Sequence, residues 1–171
     1  MRTKHNVYLP GALALYFSYA MLGVASSILS QYKGQFASNW GAQELANGTV
    51  DVSMVVSVIA AFGLGRLLAY PFAGPVSDHF GRKVSGTIGI GLYIIFFVGI
   101  ITVHSFWAAY AIGVLNGMAN SFLDTCVSPS LMEMFPESAS IANLLTKFAV
   151  VIAQFIPVSY THLTLPTNSL V

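Results

Sequence analysis

The sequence predicts an all-α membrane protein, a bundle of about five transmembrane helices, and three observations carry that prediction. Of 171 residues, 56% are hydrophobic and 8% are charged, against about 25% charged in an ordinary soluble domain. The apolar residues gather into runs close to the roughly 20 residues needed to cross about 30 Å of hydrocarbon. Those runs are continuous rather than alternating, which excludes barrel strands and leaves helices to satisfy the backbone in lipid. Seven Lys or Arg against six Asp or Glu, a net charge of +1, form no basic patch, so nucleic acid is not an expected partner. The single cysteine, Cys126, excludes an internal disulfide and reads as a small buried helix residue.

The expected spans are residues 7–30, 52–73, 84–103, 106–128 and 141–157. The start, Met1-Arg-Thr-Lys4 before an apolar run, resembles a signal peptide. The run is too long for one, no small-residue cleavage site closes it, and further spans follow, so it is read as a retained helix. With a cytoplasmic N-terminus, the inside segments hold Arg2, Lys4, Arg82, Lys83 and Lys147, and the outside loops hold Lys33 alone. That asymmetry predicts an inside N-terminus in a cytoplasmic membrane. Asn47-Gly48-Thr49 in the first external loop is a formal glycosylation sequon and is read as a chance occurrence.

Chemistry concentrates between the second and third spans, in Gly74-Pro-Val-Ser-Asp78-His-Phe-Gly81-Arg82-Lys83. Read as a short cytoplasmic turn, this stretch uses Gly74 for close helix approach and Gly81 for the turn into the next helix. Asp78 suits a helix N-terminus, and Arg82 offers a planar fork for carboxylates. Without further context, a capped, positively charged inner loop would explain most of these residues. The segment also resembles the loop motif of the major facilitator superfamily, Gly-x-Leu-Ala-Asp-Arg/Lys-x-Gly-Arg-Arg/Lys. Gly74, Asp78, Gly81, Arg82 and Lys83 match, while Val76 and His79 depart from the pattern. A second stretch, Pro129-Ser-Leu-Met-Glu133-Met-Phe-Pro136, is similar to the Pro-x-x-x-Glu-x-x-Pro pattern of sugar-porter-like members. The resemblance implies the N-terminal six-helix half of a major-facilitator bundle. It also implies a cytoplasmic latch in which Glu133 faces the loop and joins Asp78 and Arg82.

Two ionisable residues fall inside spans, Arg66 and Asp124. Each costs about 2.5–3.5 kcal/mol at a helix centre, so neither should face lipid. Arg66 precedes Gly74 by eight residues and Asp124 precedes Glu133 by nine, depths of about 12 and 13 Å at which the two can pair. Asp124 can serve such a pair, carry a proton or bind substrate. Asn116, Asn120 and Asp124 recur every fourth residue and share one helix face. The resemblance implies that the first and fourth helices line a central cavity, which adds Tyr16 and Tyr19 as path candidates beside their alternative roles in packing or at the interface. Ala109, Gly113 and Gly117 form a small-residue ridge for helix packing, and Gly86, Gly89 and Gly91 lie inside a span and do not form a nucleotide loop.

The expected function is alternating-access transport of a small polar solute such as a sugar or an organic acid, driven by a proton gradient without a cofactor. Drug–proton antiporters of the superfamily carry a glycine-rich motif in the fifth helix, whereas residues 142–157 contain no glycine. Asp124 after Leu123, with Asn143-Leu-Leu145 and Phe148, is loosely similar to fucose-permease-like symporters, which favours uptake. The alternatives are an exporter of the same superfamily and a non-transporting membrane scaffold. No Ser/His/Asp grouping, metal-spaced cluster or paired carboxylates at one depth points to an enzyme. Residues 158–171 are Thr- and Ser-rich and resemble a translated adapter, so they are expected to be a non-native or disordered tail. Members of the superfamily have twelve spans in two halves. Five spans therefore predict a chain lacking its C-terminal half and inactive alone.

Overall fold

Among the described residues, six helices and one short 3-10 turn follow one another along the chain. The computed structural model describes the backbone of residues 4–44 and 50–164 and the side chains of 8–44 and 50–156. Helix α1 spans Lys4–Gln31, α2 Lys33–Asn39, α3 Ser53–Phe80, α4 Arg82–Thr102, α5 Phe106–Met134 and α6 Ala139–Thr164. The sequon at 47–49 lies outside the described residues. Helix α5 is the hub. It packs along α3 and α4 and also meets α1 and α6, while α1 pairs with α6.

The helices overrun the expected spans. Helix α3 passes through Pro71 and Pro75 and ends at Phe80 rather than near residue 73, and α5 passes through Pro129 to Met134. The apolar run marks where side chains turn polar, but backbone hydrogen bonding continues until a residue breaks it. The break after α3 is Gly81, with φ +89° and ψ 155°, a conformation open to glycine alone. The motif from Gly74 to Phe80 is thus the last two turns of α3, and the expected cytoplasmic turn shrinks to one residue. Helix α6 likewise continues past position 157 to Thr164, so the expected tail begins as helix; residues 165–171 lie outside the described part.

Among the described residues, four segments are long and apolar enough to cross a membrane: Tyr8–Gln31, Ser53–Phe80, Arg82–Thr102 and Pro136–Ile156. Helix α5 has 29 residues, yet Asn116, Asn120, Ser121 and Asp124 dilute its apolar character. Its position explains the tolerance, since neighbouring helices rather than lipid enclose it, and most of its residues between Asn116 and Leu131 are buried. The outer faces are the reverse. Phe17, Leu67, Phe72, Ile101 and Trp107 point outward and are exposed, as suits contact with hydrocarbon.

Close approach of α3 and α5 fixes their register. A Cβ on Gly113 would lie 2.6 Å from the Val58 carbonyl oxygen, and one on Gly117 would lie 2.1 Å from that of Phe62. One turn further on, the Ser121 hydroxyl donates to the Arg66 carbonyl at 3.3 Å. The parallel helices therefore stay in step through three successive turns, along the ridge that Ala109, Gly113 and Gly117 form. Gly86 and Gly89 of α4 sit against Cys126 and Leu123 of α5 in the same way, as packing glycines.

Candidate functional site, a charged centre between four helices

The register of α3 against α5 carries Arg66 and Tyr70, one turn apart, to the side of Asp124. The Asp124 carboxylate accepts from three donors on two helices. Its Oδ1 takes the Tyr19 hydroxyl of α1, and its Oδ2 takes Arg66 Nη2 at 3.0 Å and the Tyr70 hydroxyl at 2.6 Å. Arg66 also donates to the Tyr70 oxygen, and its guanidinium carbon lies 5.3 Å from the Tyr70 ring centre and 5.6 Å from that of Phe62. From α6, Lys147 Nζ donates to the Tyr19 hydroxyl at 2.8 Å and lies 4.7 Å from that ring's centre. Tyr19 is 2% exposed and relays between the cation of α6 and the anion of α5.

This geometry meets some sequence expectations and corrects others. Arg66 and Asp124 do pair. Tyr16 does not reach the carboxylate; its hydroxyl donates to the Ala142 carbonyl at 3.1 Å and ties α1 to α6. Asn116 and Asn120 do not line an open path with Asp124, because both are buried inside the bundle and Asn120 lies beside the Tyr93 hydroxyl of α4. Asn116 Oδ1 has no hydrogen-bond partner among the described residues. Lys147, exposed as a residue, turns its ammonium onto Tyr19. It sits eight residues into α6, about 12 Å along the axis, and reaches inward. It and Tyr70 were missed, although a lysine inside an apolar helix is the signal that singled out Arg66.

Further along α5, at its C-terminal end, the loop motif is only partly assembled. Arg82 Nη1 and Glu133 Oε2 form an ion pair across the start of α4 and the end of α5. Asp78 does not join them. It is exposed on the last turn of α3 and makes no hydrogen bond or ion pair among the described residues. A helix C-terminus is the unfavourable end for an anion, so the expected three-residue cluster reduces to a pair. Lys83 follows Arg82 on the first turn of α4. Gly74 has open space around a would-be Cβ, so it does not provide the close approach expected of it. Ser77 and Ser85 provide the local ties, donating to the Thr125 and Phe122 carbonyls at 3.0 and 2.9 Å.

No group of His, Cys, Asp and Glu among the described residues is arranged to hold a metal. Four helices of spanning length and apolar character among the described residues, joined by an ionic centre, define a multi-pass integral membrane protein. Residues 8–154 match the profile of the Major Facilitator Superfamily, and the chain belongs to that family. It is 42% identical over 151 residues to the inner membrane transport protein YdiM of Escherichia coli (strain K12), covering 88% of this chain and 35% of the relative. It is 33% identical over 159 residues to the inner membrane transport protein YdiN of the same organism, covering 92% and 36%. It is 34% identical over 153 residues to the uncharacterized MFS-type transporter YfkL of Bacillus subtilis (strain 168), covering 89% and 37%. The chain thus spans little more than a third of the length of these relatives. No solved structure matches it.

Proposed function

We propose that this chain is part of a longer secondary transporter that takes up a small solute with a proton across a bacterial inner membrane, its N-terminus inside. The carrying observation is the Asp124 carboxylate, held by Tyr19, Arg66 and Tyr70 within the bundle. A proton on Asp124 removes the anion that holds Arg66 and frees donors on α1 and α3 together. Protonation therefore changes what joins those helices, which is what coupling a proton to alternating access requires. The Arg82–Glu133 pair closes the cytoplasmic side in one state and opens in the other, and Asp78 awaits a helix start in the remainder of the protein. The YdiM and YdiN names support the inner-membrane assignment. On this reading the 171 residues alone do not transport.

The test is uptake by the full-length transporter in proteoliposomes under an imposed proton gradient. Asp124→Asn keeps the size and loses the titratable group, and it is expected to abolish gradient-driven accumulation while leaving solute exchange between equal pools. Accumulation at the wild-type rate in that variant removes Asp124 from the coupling.

A further inference from the structure

Among the described residues the charged centre does not balance. Arg66 and Lys147 bring two positive charges and Asp124 brings one negative charge. The remaining acids are elsewhere. Glu44 and Asp51 precede α3, Asp78 ends it, and Glu133 and Glu137 lie around the turn between α5 and α6. Lys147 makes no ion pair among the described residues; its partner is the neutral Tyr19 hydroxyl, which leaves two of its three N–H donors unused. The helices packed against α6 bring no second anion to Lys147 among the described residues, since α1 offers Tyr19 and α5 offers Asp124, already taken by three donors. A lysine inside a spanning helix ordinarily pairs or snorkels outward. Lys147 is exposed as a residue, yet its ammonium turns back onto Tyr19, which is 2% exposed, and leaves an accessible face for a ligand.

We infer that the solute is a monoanion, a small carboxylate whose charge is matched by Lys147, with Tyr19 placed to sense its arrival. This rests on the transporter reading above and narrows it to one substrate class. The anion supplies the missing charge, so the loaded site is neutral and crosses the membrane interior without an uncompensated cation. A neutral sugar would leave that cation unmatched. Binding to Lys147 also draws the ammonium from Tyr19, whose hydroxyl holds Asp124 Oδ1, so solute and proton sites meet through one side chain.

The experiment uses the full-length transporter and three matched pairs of probes: lactate with lactamide, gluconate with sorbitol, and benzoate with benzamide. Melting temperature in detergent and inhibition of proton-driven uptake are read for each. At least one carboxylate is expected to raise the melting temperature where its neutral partner does not. Lys147→Met is expected to weaken that carboxylate by about tenfold or more, as loss of a charged hydrogen-bonding partner implies, and Lys147→Arg to retain it. Without solute, Lys147→Met should melt at or above the wild-type temperature, because it removes an unmatched charge. The inference is overturned if neutral probes act as well as carboxylates, if no carboxylate acts, or if solute-free Lys147→Met melts several degrees lower, which would place an acid of the remaining chain on Lys147. Proton-driven entry of neutral probes would sink the anion while leaving the coupled transporter intact; entry of carboxylates that ignores the proton gradient would do the reverse.

Discussion

The two ion pairs of this chain use the same chemistry in opposite surroundings. The arginines are alike, 37% exposed for Arg66 and 33% for Arg82, and the difference lies in the carboxylates, 14% exposed for Asp124 and 69% for Glu133. Asp124 is fixed by donors from α1 and α3 together, while the described contacts of Glu133 include one ionic partner. An enclosed pair is costly to break because it strands a charge, and an open pair is cheap because water replaces the lost partner. Under the transport reading proposed above, the pair between helices changes state when a proton or a ligand changes its charge, and the pair with the open carboxylate exchanges partners when the helices move.

Breaking each pair in turn tests that contrast and gives the largest expected effect. Asp124→Leu leaves Arg66 without its carboxylate and should destabilise the bundle by about 3–5 kcal/mol, the range for stranding one member of a buried pair. Glu133→Leu should cost less than about 1 kcal/mol, as for exposed pairs. Thermal unfolding in one detergent measures both. Arg66→Met combined with Asp124→Leu should recover much of the loss, because no charge is then stranded. Equal losses for the two single variants would erase the distinction between the pairs.

A second contrast sharpens why the enclosed pair forms. A Cβ on Gly65 would meet the Val114 carbonyl oxygen at 2.0 Å, whereas one on Gly74 meets nothing within 4 Å. Both glycines lie on α3. Gly65→Val should drive α3 from α5, cost about 1–3 kcal/mol or more, and displace Arg66 from Asp124. Gly74→Ala should leave stability within about 0.5 kcal/mol of wild type, or slightly raise it, since alanine favours a helix interior. Unfolding curves check the energies, and cysteine cross-linking between α3 and α5 checks the spacing.

How legible this was in the sequence depended on which force set each feature. The all-helical membrane class came through, because an apolar run of spanning length has few other uses, while the five expected spans compare with six helices, four of them apolar enough to span, among the described residues. Helix ends did not come through, because hydropathy falls near Gly74 and Pro129 while hydrogen bonding continues to Phe80 and Met134. The Arg66–Asp124 pair was foreseeable from equal depth and opposite charge, and the ridge of Ala109, Gly113 and Gly117 from its spacing. Lys147 was lost to a rule about loops, since it was counted by charge sign rather than by its place in a helix. Removing it from that count leaves Arg2, Lys4, Arg82 and Lys83 against Lys33, so the expected orientation keeps its support. Gly65 and Tyr70 belong to no motif. Their importance comes from the neighbour they meet, and a single chain does not spell that out.

The smallest expected effect lies at the far end of α3, outside the bundle. Asp51 accepts the Ser53 backbone N–H at 2.9 Å and the Ser53 hydroxyl at 3.0 Å, just before the helix begins. Those two hydrogen bonds hold its carboxyl below the usual carboxylate range. A group lowered in the folded state binds its proton more weakly there than when unfolded. Its contribution is therefore present above the unfolded value, near about 3.9, and fades as pH falls through the lower folded value. Asp51→Asn should melt slightly below wild type at neutral pH, and the gap should close under strong acid. A gap that stays constant from neutral to acid would mean that the cap acts through shape and hydrogen-bond count alone. The same scan on Glu133→Gln supplies the reference for an exposed acid at the other end of the bundle, where an ion pair with Arg82 replaces the backbone donor.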